Sequence, residues 1–125
     1  MQDPNIRETH TLVASDMVVG TAVYDPNDNK IGNVERLILE KMSGQVSYAV
    51  LSFGGFLGLG EDYYPVPWQM LTYDESVEGF RVNLTKEQMD NAPKYGAGED
   101  YDWSAINDRR ISEHYGVPFG RPALA

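Results

Sequence analysis

Gln45-Val46-Ser47-Tyr48-Ala49-Val50-Leu51-Ser52-Phe53 is the stretch on which the fold turns. Val46, Tyr48 and Val50 alternate with Ser47, Ala49 and Leu51, and the run is rich in β-branched and aromatic residues, the signature of a strand. Met42-Ser43-Gly44 immediately before it is a short loop, and that loop decides how Ile31 to Lys41 is read. Val34, Leu37 and Ile38 could share a helical face. A segment joined to a strand by a short glycine-containing loop is better read as its hairpin partner, with the central residues largely buried.

Working outward, Met17 to Tyr24 is β-rich, with Gly20 expected at a bulge or a close approach. Asp25-Pro26-Asn27-Asp28-Asn29 is a dense turn signal. Downstream, Pro65 and Pro67 within Tyr63 to Trp68 place that segment at a sheet edge or a strand end. Leu71 to Tyr73 reads as a short strand, Asp74 to Gly79 as a turn, and Phe80 to Leu84 alternates again. Thr85 with Gln88 has capping-box spacing, so a short helix starts there and stops before Pro93. Residues 93–102 read as a linker. Residues 103–116 form an amphipathic helix with Trp103, Ile106, Ile111 and Tyr115 on its apolar side, stopped by Gly116 and Pro118. The expected fold is all-β: a small closed barrel or rolled antiparallel sheet over residues 12–92, with a short helix after the barrel and a helical tail over 93–125. Residues 12–84 are expected to fold without that tail. Trp68, stiffened by the preceding prolines, is expected to be buried and to close one end of the barrel.

The composition narrows the function classes. The 125 residues suffice for one domain. The absence of cysteine excludes disulfides, thiolate zinc sites, iron–sulfur clusters and cysteine nucleophiles. Nineteen acids against ten Lys and Arg give a net charge of −9, which repels nucleic-acid phosphates and anionic membranes. No stretch approaches the ~20 apolar residues of a membrane span. Met1 to Thr11 is polar and unpatterned, without the apolar run of a signal peptide, and is expected to be a disordered tail. A soluble, cytoplasmic protein is expected.

Val19-Gly20-Thr21-Ala22-Val23-Tyr24-Asp25 and Lys30-Ile31-Gly32-Asn33-Val34-Glu35 open a longer pattern. It continues through Gly44 to Gly60 and ends with Tyr64-Pro65-Val66-Pro67-Trp68. In order and spacing this run resembles the PRC-barrel domain, over about residues 12–92. That domain occurs in the photosynthetic reaction centre H subunit, in a ribosome maturation factor and in stand-alone bacterial proteins. The resemblance implies a small β-barrel that docks onto other macromolecules, and it carries no catalytic residues over. No counterpart of the H subunit's membrane helix or of the ribosome factor's N-terminal β-domain is expected, and the resemblance is to the stand-alone bacterial type.

The chemistry-bearing patterns are weak. Gly55-x-x-Gly58-x-Gly60 has a reversed order for a dinucleotide loop, lacks the Lys-Ser/Thr of a P-loop, and is followed by Glu61 and Asp62. Asp25-x-Asn27-x-Asn29 begins like a calcium loop, but Lys30 and Arg36 stand where a glycine and a bidentate glutamate belong. His10 and His114 lie in the two tails, and no G-x-S-x-G elbow accompanies the serines. The pairs Glu61/Asp62 and Glu99/Asp100 read as solvated surface. Tyr48, Phe53, Tyr63, Tyr64, Trp68, Tyr73 and Phe80 read mostly as core, because residues 45–80 contain no Lys or Arg to accompany base stacking.

These readings lead to an expected non-enzymatic protein-interaction or scaffold module, with no catalytic, cofactor or metal residues. The alternatives are an adaptor in ribosome or RNA-processing assembly, and a small ligand-binding or hydrolase barrel. A role at a photosynthetic reaction centre rests on the family resemblance alone. Phe56, Leu57 and Leu59, set among glycines, are expected to face outward and to form a homodimer or a hetero-partner contact, unless the loop folds back as a lid. Trp103, Ile106 and Tyr115 are the further interaction candidates.

Overall fold

The computed structural model describes residues 12–54, 61–96 and 98–118. The strands are β1 (Ala22–Tyr24), β2 (Lys30–Leu39), β3 (Val46–Ser52), β4 (Tyr64–Pro67), β5 (Thr72–Asp74) and β6 (Gly79–Arg81). The helices are α1 (Ser15–Val18), α2 (Lys86–Asp90) and α3 (Ala105–Tyr115), with a 3₁₀ turn at Trp68–Met70. The strands form one six-stranded sheet in the order β4-β3-β2-β1-β6-β5. The hairpin read from Gln45 to Phe53 forms its longest ladder, with β2 and β3 antiparallel and Leu37 opposite Ala49.

The sheet is open: no ladder joins β4 to β5, which corrects the expected closed barrel. It is also not wholly antiparallel, because β1 and β6 pair in parallel. The first departure follows from the connections. Only Trp68 to Leu71 separates β4 from β5, the two outer strands, so Pro67 and Thr72 lie at most roughly 18 Å apart. The sheet must roll to bring its edges that close, and β2 carries two register shifts, between Val34 and Arg36 and between Ile38 and Leu39, that help it bend. The chain spanning the gap is a 3₁₀ turn, which offers no ladder to either edge. Trp68 reaches across from that turn to β6, its ring edge-on to Phe80 at 5.4 Å. It is half-buried, less covered than expected. Pro65 and Pro67 sit in an edge strand, as their missing N–H groups require.

Met17 to Tyr24 is not one strand. Ser15–Val18 makes a helical turn, Thr21 Oγ1 donates to the Met17 carbonyl at 2.7 Å, and Gly20 takes φ 89°. That left-handed residue is a chain reversal, so β1 starts only at Ala22. The turn at 25–29 forms as read. Asp25 Oδ1 accepts from the backbone N–H groups of Asn27 and Asn29 (2.8 and 2.9 Å), and Oδ2 accepts from the Asn29 amide at 3.0 Å. This carboxylate therefore caps its own turn. The capping box is also present, with Thr85 Oγ1 accepting from Gln88 N–H at 3.1 Å and the Gln88 side chain accepting from Thr85 N–H.

The core joins the sheet to both later helices: Val23, Ile31, Leu51, Tyr64, Val66 and Phe80 pack with Met89 of α2 and with Ile111 and Tyr115 of α3. The segment after residue 92 is thus no detached tail. Tyr95 exchanges backbone hydrogen bonds with Tyr63 (2.8 and 3.0 Å), which pins the stretch read as a linker. On α3 the apolar side is narrower than expected. Ile111 and Tyr115 are buried, whereas Ile106 is 70% exposed. Five residues on a helix turn the side chain by about 140° beyond a full revolution, so Ile106 and Ile111 cannot share a face.

Arg81 ties the turn at 25–29 to the β5–β6 hairpin. Its Nε pairs with Asp74 at 2.6 Å, one terminal nitrogen pairs with Asp28 at 2.6 Å, and the other donates to the Asp25 carbonyl at 3.1 Å. The Ser76 hydroxyl and then Arg81 hold the Asp74 carboxyl down at about 2, below the ordinary 3.8. A depressed folded-state value contributes stability above pH 3.8 that disappears as pH falls through about 2. The melting temperature is therefore expected to hold between pH 7 and 5 and to decline from about pH 4 to 2. Asp74→Asn should flatten that acid limb in a series of thermal melts, and an unchanged limb would count against the assignment.

Candidate interaction groove

A groove of about 370 Å³ opens between the first residues of β3, the end of β4 and α3. Val46, Tyr48, Pro67 and Trp68 line its sheet side, and Asp108 and Ser112 its helix side. The third wall comes from the end of α3. Gly116 takes φ 69° as the helix cap, and Val117 N–H bonds back to the Ser112 carbonyl at 3.0 Å, a Schellman-type closure that folds Val117 and Pro118 against the groove. Glycine is required there because the left-handed conformation strains any residue with a Cβ.

Aromatic rings extend the groove at the start of α3. Trp103 stacks on Tyr48 at 5.7 Å, with an interplanar angle of 27°, and packs against Tyr101 at 4.6 Å. It remains 37% exposed despite both contacts. Ile106 stands three residues further on, exposed as well. Ringed and branched carbons in water at this density suit a surface that another surface covers. Among the residues that line the groove Asp108 is the one carboxylate, and the other polar side chains are the amides of Gln45 and Gln69, hydroxyls and the Trp68 indole N–H.

Two of the interaction candidates read from the sequence, Trp103 and Ile106, are thus exposed. Tyr115 is not available: it is buried, its hydroxyl lies 3.7 Å from Met89 Sδ, and burial pushes its ionisation far up. Its apolar face serves the core, which corrects its expected surface role. Phe56, Leu57 and Leu59, like His10 and the segment 1–11, lie outside the described residues. His114 Nε2 is 2.6 Å from the Gln88 carbonyl and so donates to it. No group of three His, Cys, Asp or Glu side chains able to hold a metal ion occurs among the described residues. No helix there is long and apolar enough to cross a membrane.

The sequence does not show the groove because its walls come from three separate segments. One signal was present. Gly116-Val117 after an amphipathic helix matches the Schellman pattern, in which the residue after the glycine folds back onto the helix.

The sequence profile of the PRC-barrel domain matches residues 11–89. A protein of Deinococcus radiodurans, described as an uncharacterized protein, is 32% identical over 94 residues, covering 74% of this chain and 33% of its own length. The chain thus spans about a third of that relative.

Proposed function

Since the chain belongs to the PRC-barrel domain family, we propose that it is a non-enzymatic protein-interaction module that holds a protein partner along the groove between β3, β4 and α3. The observation that carries this reading is Trp103, partly exposed and stiffened by stacking on Tyr48, a residue that lines an apolar groove. Tryptophan beside a pocket is the residue type that dominates interface energies, because its large ring loses little rotamer freedom on binding. Ile106, 70% exposed on α3, is a second apolar side chain at the surface, outside the residues that line the groove. A second copy of the chain is the partner we place first, because a two-fold contact is self-complementary and needs no other gene product. Two chains of charge −9 repel one another, so this dimer strengthens with salt.

Light scattering across a range of protein and salt concentrations tests the dimer, and bait experiments test the wider reading. Trp103→Ala/Ile106→Ser should lower the melting temperature by several degrees, because Trp103 gives up its stacking on Tyr48 and Tyr101, and should keep a single cooperative transition, because neither residue belongs to the core cluster. The wild type should exceed the 14.0 kDa monomer mass as concentration rises, and the double variant should not. A wild type that stays monomeric removes the second copy as partner. If wild-type and variant baits also retain the same proteins from the native cell, the groove is not the docking surface.

A further inference from the structure

A second pocket of about 440 Å³ lies between the end of α2 and α3, away from the residues of the groove. Asn91, Lys94, Tyr101, Asn107, Arg110 and His114 line it together with Pro93. Each of the six has a side-chain hydrogen-bond donor, and none is a carboxylate. In a chain with nearly twice as many acids as bases, such a lining sets Lys94 and Arg110 together with no carboxylate among the lining residues.

The fold holds these groups in place. Asn107, Arg110 and His114 are spaced i, i+3 and i+7 on α3, which puts them on one helical face. His114 is fixed by its bond to the Gln88 carbonyl, and Asn107 by a 2.9 Å bond to the Asp102 carbonyl. Lys94 precedes Tyr95, whose backbone is pinned to Tyr63. Lys94 also pairs with Asp62 at 3.4 Å, but both side chains are well exposed, and such a pair is weak enough to exchange for a stronger anion. Burial raises the Tyr101 hydroxyl above its ordinary range, so it stays a donor at neutral pH.

We propose that this pocket binds a small phosphorylated molecule, its phosphate held between Arg110 and Lys94. A guanidinium fork and an ammonium reaching separate oxygens is the arrangement that favours phosphate over a singly charged anion. The volume fits a whole small ligand and leaves room beyond the phosphate itself. The amides of Asn91 and Asn107 and the Tyr101 ring would then meet the rest of the molecule. This site is independent of the docking groove, and either can fail without the other.

The test is a titration of the full, isotope-labelled chain with inorganic phosphate and with pyrophosphate at constant ionic strength, with sodium chloride as the control. The expected result is saturable shifts at the amides of Asn91, Lys94, Asn107 and Arg110, with pyrophosphate tighter than phosphate. Arg110→Gln and Lys94→Gln, both at exposed positions, should each weaken binding by about tenfold or more at an unchanged melting temperature. Arg110→Lys should recover only part of the loss, because it restores the charge without the fork. The proposal is overturned if chloride reproduces the shifts, if they centre on Arg36 or Arg81, or if the Gln variants bind as tightly as the wild type.

Discussion

A chain ending at Pro93 is expected to lose its cooperative unfolding transition. It would keep every strand and the capping box of α2, yet it would remove Ile111 and Tyr115 from the core cluster. Ile111 is fully buried, and Tyr115 lies against Met89, so both Met89 and the β4 residues beneath α3 would face water. Truncating one large buried aliphatic side chain costs about 2–5 kcal/mol, and an aromatic one about 3–5. Domains of this size have about 5–15 kcal/mol in total, so losing both together approaches the whole. In the full-length chain, Ile111→Ala alone should lower stability by about 2–5 kcal/mol in urea unfolding. Circular dichroism melts decide the point. A truncated chain that melts cooperatively near the full-length temperature would show that the strands and α2 suffice, as the sequence alone suggested.

Gly32→Ala is expected to be the most damaging single substitution in the sheet. Gly32 lies in β2, opposite Val23 of β1, with the β3 backbone closing over its other side. A Cβ there would collide with the Ser52 carbonyl oxygen and come within 3.0 Å of the Ser52 carbonyl carbon and 3.1 Å of Phe53 Cα. The obstacle is backbone, which no rotamer change can move aside. Overpacking usually costs 1–3 kcal/mol, and with β2 paired on both sides we expect about 3 kcal/mol or more. Gly44 supplies the contrast. Its Cβ would meet nothing within 4 Å, so Gly44→Ala should cost only the strain of φ 77°, about 1–2 kcal/mol. Comparing urea midpoints of the two variants separates close approach from backbone strain, and equal losses would refute the steric account.

Local chemistry made much of this protein readable from its residues. The β2–β3 hairpin rests on a β-branched and aromatic run, buried on both faces at Tyr48 to Leu51, and on a short glycine-containing connection, the turn at 25–29 on Asp25 bonding its own backbone, and α2 on the Thr85 and Gln88 pair. Pro65 and Pro67 fixed β4 to an edge because a missing N–H is missing wherever the chain runs. Each of these effects acts within a few residues, so the order of side chains along the chain determines it.

What required the tertiary structure depends on segments distant in sequence meeting in space. Whether the rolled sheet closes is decided by the short path from β4 to β5, which is spent on a 3₁₀ turn, and the sequence shows that path's length without its shape. Trp103, Ile106 and Tyr115 look alike as apolar residues near one helix. Only the packing of α3 on β4 sends Tyr115 inward and leaves the other two at the surface. The groove is further removed still, because it draws its walls from segments tens of residues apart, and the cationic pocket, though built within residues 91–114, forms only where α3 packs back beside the end of α2 over a shared core.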